Sequence, residues 1–302
     1  MKNCLWMLTL VVMVWSCTPK PEENLLLENT RTALDNKEWE KADEAARELI
    51  KHYPENPDGY NMLGFSLLQR NEPFRADSCF QKALLRDSTN YKYFFNSADA
   101  RNIISTQTNE PRDFLTASVL YAKAIELQPN IPDLYIKRAV MVNNLTGYYE
   151  ASVDLNMAIK LQPENGFSHY LLGRTYRNLA NQDTMFLGQE RVGFTPEMKK
   201  AWRDSAITVF TQALELEGDE QESTLLWLGM TYMENNQPNE ACEAWEKAKE
   251  LGVETADTNL HLNCEGFTDE HSEEEVAAIL EELNQRIKTL EEGHFDGDGH
   301  DH

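Results

Sequence analysis

Apolar residues along most of this chain recur three and four positions apart, in runs of ordinary helix length, with polar breaks between them that carry Pro, Gly or Asn. Paired amphipathic helices are the expected elements. Three stretches read differently. Leu5 to Val14 is continuously apolar behind Lys2, of secretory length and short for a membrane span. Asn181 to Phe194 places Met185, Phe186, Leu187 and Phe194 among polar residues without helical spacing, and Thr195-Pro196-Glu197 then reads as an N-cap with proline at the first helical position. Near the end, Ser272-Glu273-Glu274-Glu275 reads as a capping box ahead of Val276, Ile279, Leu280, Leu283, Ile287 and Leu290 at helical spacing.

The helical runs repeat. Alanines stand at Ala42, Ala76, Ala117, Ala151, Ala206 and Ala241, at intervals of 34, 41, 34, 55 and 35 residues. Four positions on from each comes Ala46, Phe80, Tyr121, Leu155, Phe210 or Trp245, and seven positions on Leu49, Ala83, Ala124, Ala158, Ala213 or Ala248. The preceding helices supply Leu63-Gly64, Ala98, Ala139, Leu172-Gly173 and Leu228-Gly229, while Pro54, Pro129 and Pro163 close three of the pairs. This constellation resembles the tetratricopeptide repeat (TPR) family, in which small residues let two antiparallel helices approach and a bulky one fills the hole beside them. The resemblance implies an all-α solenoid of helical hairpins over 23-256, divided at 23-56, 57-90, 91-131, 132-165, 166-221 and 222-256. The excess residues of the third and fifth hairpins are expected in loops, at Ser105 to Arg112 and Asn181 to Phe194. A short helix or turn is expected near Thr258 to Glu265, within a C-terminal capping helix region over 257-292, and a disordered His/Asp tail over 293-302.

Charge separates the two ends. The net charge is -23, and residues 215 to 302 hold 25 acids against Lys247, Lys249, Arg286 and Lys288. Such a surface repels phosphate backbones, so nucleic acid is excluded as a partner of that end. At the other end, Val14-Trp15-Ser16-Cys17 resembles a bacterial lipobox, with Trp15 departing from the small residue usual at its position. The resemblance implies a signal peptide over 1-16, a lipid on Cys17, and a short stiff tether over 17-22 holding the body close to a membrane. Thr18 is not the aspartate that retains lipoproteins at the inner membrane, which implies the outer membrane of a diderm bacterium.

TPR proteins bind partners along the first helix of each hairpin. Carried over position by position, that register implies Asn61, Phe65 and Leu68, then Lys92, Phe95, Asp99 and Asn102, then Ile136, Val140, Asn143 and Asn144. The fifth hairpin adds Phe167, Tyr170, Arg174, Arg177 and Asn178, and the sixth Leu226, Met230 and Met233. Aromatic anchors with asparagines suit an extended peptide or a helix. Arg174 and Arg177, one turn apart, either grip a carboxylate of the partner or pair with acids of the chain itself. The lysine and asparagine of the carboxylate-clamp TPR proteins are missing.

Catalysis has no motif to rest on: the sequence contains no phosphate loop, no G-x-S-x-G and no H-E-x-x-H. No enzyme activity, cofactor, metal or small-molecule substrate is expected. The expected function is a membrane-anchored interaction adaptor of the cell envelope, serving assembly or secretion through a protein partner. The alternative is a structural or metal-capturing envelope protein that uses the insertion and the acidic tail. Cys242 and Cys264 are free to form a bridge in an oxidising compartment, and spacing alone leaves it open.

Overall fold

A computed structural model describes residues 20–187, 190–216 and 218–264. The signal segment, Cys17, the helix expected after Glu265 and the His/Asp tail lie outside the described residues. Among the described residues the fold is the expected all-α TPR hairpin solenoid, and the chain divides into two compact units, Met1–Pro163 and Glu164–His302.

Unit 1 holds four hairpins. Their first helices are α1 (Glu23–Asp35), α3 (Pro57–Gln69), α5 (Tyr91–Thr108) and α7 (Pro132–Asn144); their second helices are α2 (Trp39–His52), α4 (Pro73–Leu84), α6 (Pro111–Leu127) and α8 (Tyr148–Leu161). Proline occupies the first turn of α3, α4, α6 and α7, where its missing N–H costs nothing. Each hairpin turn reverses the chain through one left-handed residue: Lys37, Asn71, Asn109 and Thr146, with φ between 53° and 60°. Asparagine tolerates that conformation better than most side chains, which accounts for two of the four. The second helix of each hairpin also packs on the first helix of the next, as in α2 on α3, α4 on α5 and α6 on α7.

The repeated positions are the core. Ala42, Ala76, Ala117 and Ala151 are fully buried, as are Phe80, Tyr121 and Leu155 four residues after the last three. Thr30, where a small residue is usual, is also fully buried, and its hydroxyl donates to the Leu26 carbonyl at 2.7 Å, so no polar group is stranded. Gly64 lies under the Phe80 ring, and a Cβ there would stand 2.6 Å from Phe80 Cε1.

One expectation needs correction in this unit. The third hairpin has no extra loop: Ser105 to Thr108 form the last turn of α5, Pro111 starts α6, and Asn109 and Glu110 alone join them. Nothing between Tyr91 and Thr108 breaks a helix, so the excess residues lengthen α5 to 18 and α6 to 17 residues. The end of the expected tether is seen at residues 20–22. Tyr53 Oη donates to the Pro21 carbonyl at 2.8 Å and the Lys20 ammonium sits 3.6 Å from the Tyr53 ring centroid, so residues 20–22 dock on the end of α2.

Unit 2 contains α9 (Gly166–Ala180), α10 (Pro196–Glu215), α11 (Gln221–Glu234), α12 (Pro238–Glu250) and α13 (Glu254–Asn263). Between α9 and α10 the stretch expected as a loop forms an antiparallel two-stranded hairpin, β1 (Thr184–Leu187) with β2 (Glu190–Gly193), in register Thr184 with Gly193 and Met185 with Val192. The side chains of Met185, Phe186 and Leu187 lie outside the described residues. Helix α10 runs for 20 residues and is capped, as expected, by Thr195, whose hydroxyl accepts from the Met198 N–H. Ala206, Ala241 and Phe210 are fully buried and Trp245 is 2% exposed.

Helix α13 closes the unit. Ala256 and Leu260 pack with Ala248 and Trp245, and a disulfide joins Cys242 of α12 to Cys264, the residue after α13. The bridge left open by spacing is therefore formed, its Cα atoms 5.8 Å apart across 22 residues of chain. A loop of that length, constrained in the unfolded chain, stabilises by about 3 kcal/mol in the chain-entropy picture. No helix among the described residues is long and apolar enough to cross a membrane.

Candidate interaction site

In unit 1 the first helices place the expected residues in three settings. Lys92 and Phe95, with Tyr91, Asn96, Ile131, Asp133 and Leu134, line a cleft of about 240 Å³. Phe95 is held edge-on to Tyr121, ring centroids 6.3 Å apart, and the Lys137 ammonium lies 5.3 Å from the Phe95 centroid. Phe65 is 37% exposed on α3, and Asn61 accepts a hydrogen bond from Asn96 Nδ2 at 2.8 Å. Asn102, Val140 and Asn143 are half-buried. Two residues are turned inward instead. Ile136 is 7% exposed, a core side chain rather than a contact residue. Asp99 accepts from Tyr121 Oη at 2.6 Å and pairs with Lys137 at 3.1 Å. Burial and the adjacent Asp99 charge push the Tyr121 phenol far above its ordinary range, so it stays a neutral donor.

Unit 2 carries the more developed arrangement. Helix α9 presents Phe167, 39% exposed, whose ring centroid is 6.2 Å from that of Tyr170. One turn on, the Arg174 guanidinium lies 5.5 Å from the Tyr170 centroid and 4.9 Å from that of Trp227 on α11, and its Nη1 donates to Tyr170 Oη at 3.3 Å. Arg174 makes no ion pair among the described residues. Guanidinium stacked on aromatic faces loses little of its outward donor capacity, so Arg174 is oriented by the rings and open to an anion.

Arg177 has a different fate. It lies 5.0 Å from the Trp227 centroid, its side chain is 11% exposed, and it pairs with Glu234 at the end of α11. Of the two roles open to the arginine pair, internal pairing is thus taken by Arg177, while Arg174 has no such pair among the described residues. Asn178 is half-buried beside them. Leu226, Met230 and Met233 pack against the Trp245 cluster, which makes them part of the core of this unit.

Trp227 is the residue the repeat register missed. It stands one position after Leu226, and the register counts Cα positions, whereas an indole reaches across its helix to a neighbouring face. A tryptophan among the apolar residues of a first helix was the available signal. No group of His, Cys, Asp and Glu among the described residues has the arrangement to hold a metal.

Helical hairpins with small residues at the crossing and bulky residues at the next interface define a TPR-type helical-repeat protein. Solved structures agree. The chain is similar to YrrB, described as a TPR protein with an unusual peptide-binding site, at 19% identity over 73% of this chain and 99% of that one, TM-score 0.57. PilF of Pseudomonas aeruginosa matches at 13% identity over 80% and 96%, TM-score 0.57. The C-terminal part of a TPR repeat-containing protein from Cytophaga hutchinsonii matches at 13% over 79% and 88%, TM-score 0.58. At these identities the likeness is one of fold. By sequence, the family described as "Regulator of microtubule dynamics protein 1-3" matches residues 97–284, more than half of the chain, and the chain belongs to that family. Among curated proteins, none matches this sequence.

Proposed function

We propose that this protein is an interaction adaptor anchored to a membrane of the cell envelope through lipid on Cys17, with no catalytic role, and that unit 2 receives an anionic group of a protein partner at Arg174. The observation that carries this reading is the Arg174 guanidinium lying over the Tyr170 and Trp227 rings with no carboxylate partner among the described residues, near the exposed Phe167. A buried-sided cation with aromatic neighbours is the usual composition of an interface hot spot. Lys92 and Phe95 in the unit 1 cleft supply a second contact of the same kind. The signal-like N-terminus and the Val14-Trp15-Ser16-Cys17 motif support export and anchoring. The proposal takes from the family its hairpin scaffold, not the microtubule system named in the family's description.

Capture of the full-length protein from membranes in mild detergent tests this. The wild type should retain a stoichiometric partner, and Arg174→Ala should lose it with an unchanged melting profile. Retention by that variant, at equal yield, would remove Arg174 from the reading. In the same preparations Cys17→Ser should move the protein to the soluble fraction; a protein that stays with the membranes has no lipid anchor at that position.

A further inference from the structure

The second helices of unit 1 carry an apolar surface that neither the core nor the first-helix face accounts for. On α6, Leu115 is 53% and Val119 52% exposed; on α8, Tyr149 is 36%, Val153 55% and Met157 37% exposed. Leu115 and Tyr149, and Val119 and Val153, are each 34 residues apart, so the repeat period sets them at equivalent places on consecutive second helices. Phe74 of α4, 58% exposed, holds the corresponding place one hairpin earlier. Within each helix the residues are spaced by four, which makes rows along the outer face. The equivalent positions of α2 are Glu40, Glu44 and Glu48, so the fold does not require apolar residues there.

Charge on the same three helices is biased against the sign of the chain. Their exposed cations are Arg75, Lys82, Arg112, Lys123 and Lys160, while their exposed acids are Glu126 and Glu150 alone. The remaining acids, Asp77, Asp113 and Asp154, are buried, and all three pair with Arg101 or Arg138. Arg75 already pairs with Glu72 and Lys123 with Glu126, which leaves Lys82, Arg112 and Lys160 without an ion pair among the described residues, so a chain of net charge -23 keeps an apolar face bordered by an excess of positive charge.

We infer that this face of α4, α6 and α8 docks an acidic amphipathic helix of a protein partner, its apolar stripe against Leu115, Val119, Tyr149, Val153 and Met157 and its carboxylates toward the flanking lysines and arginines. Charge complementarity selects an acidic partner. The four-residue rows select a helix, because a helix presents its own apolar stripe with the same spacing. An anionic lipid surface fits less well. Faces that insert into bilayers reach some 5–10 Å with Trp, Phe and Leu, whereas two central residues here are short β-branched valines, each about half covered by its neighbours. The surface is separate from Arg174, so its failure would leave the proposal for unit 2 standing.

The test uses the full chain and a synthetic acidic amphipathic peptide of about five turns, leucines on one face and glutamates elsewhere, with a scrambled peptide of the same composition. Calorimetry should show saturable binding of the first peptide only, weakened by added salt. Val119→Glu and Val153→Glu lie on solvent, should leave the melting profile unchanged, and should each weaken binding by at least tenfold. Thr208→Glu, at the equivalent place on α10, should not. Equal binding of the scrambled peptide, or binding unchanged by either valine variant, overturns the proposal. So does sedimentation with phosphatidylglycerol vesicles lost on Val153→Glu, which reassigns the face to lipid. A concentration-dependent dimer in light scattering that Val153→Glu dissolves also overturns it, by making a second copy the occupant.

Discussion

Arg138→Ala is expected to destabilise unit 1 by about 3 kcal/mol, the lower end of the range for breaking a buried ion pair. Asp154 on α8 has 4% of its side chain exposed and both its oxygens accept hydrogen bonds from the Arg138 guanidinium of α7. Truncation leaves a carboxylate in the core with no partner, while the arginine side chain is itself 27% exposed, which admits some water and favours the lower figure. Burial already pushes the Asp154 carboxyl above the usual carboxylate range, with the hydrogen bond and charge of Arg138 pulling the other way. A raised carboxyl favours the folded state while protonated, and that advantage is lost as pH rises from the unfolded value through the folded one. Without Arg138 the downward pull disappears and the rise grows. The deficit of the variant relative to wild type should therefore be smaller at about pH 4 than at about pH 7. Urea unfolding at the two values measures it. A second variant, Arg138→Met with Asp154→Leu, should recover most of the loss, because an apolar pair of similar volume carries no desolvation cost. A deficit independent of pH would mean that lost packing, and not the stranded carboxylate, dominates.

Gly173→Val is expected to destabilise unit 2 by about 3 kcal/mol, at the upper end of overpacking costs. A bare Cβ at Gly173 would already lie 2.6 Å from Phe210 Cδ1 and Cε1 and 2.8 Å from Cγ, and Phe210 is fully buried. Helix propensity acts in the opposite direction, since glycine is about 1 kcal/mol worse than alanine inside a helix. The overlap wins because valine adds two further methyls beyond that Cβ. Gly229 sits in the same way against the Trp245 indole, and Gly64 against Phe80. Gly193→Ala is the control, as nothing lies within 4 Å of its added Cβ. Hydrogen exchange should show the loss of protection in α9 and α10 while α1 to α8 keep theirs. Equal loss in both units would contradict their description as separate compact bodies.

The fold was readable because its determinants are periodic and local. One alanine per hairpin is followed four positions on by a residue that is bulky in every hairpin but the first, and seven positions on by one that is small in every hairpin but the first, and all of these positions are buried. The insertions were readable as extra length but not as structure. In the third hairpin the extra residues contain no breaker before Asn109, so they extend α5 and α6. In the fifth, β1 and β2 are four residues each, too short for alternation to stand out from a polar loop.

The site was readable only in part. Register assigns a helical face by Cα position, and in the structure Phe65 and Lys92 are exposed, Phe95 lines the unit 1 cleft and Arg174 is half-buried beside its two rings. It failed where a long-range partner claims the side chain: Arg177 is taken by Glu234, and Asp99 by Tyr121 and Lys137. It failed for Ile136, whose apolar side chain turns to the core, and for Trp227, whose reach exceeds its register. Ion pairs between residues 57 positions apart follow from tertiary packing, not from spacing along one helix.

The adaptor reading is tested most directly by a photoreactive phenylalanine analogue placed at Phe167, beside Arg174, and separately at Thr208 on the exposed side of α10, in otherwise intact protein on native membranes. The account predicts one crosslinked protein band from position 167, absent when Arg174→Ala is combined with it, and none from position 208. Crosslinks of equal yield from both positions, or a band at 167 that survives the loss of Arg174, would contradict it.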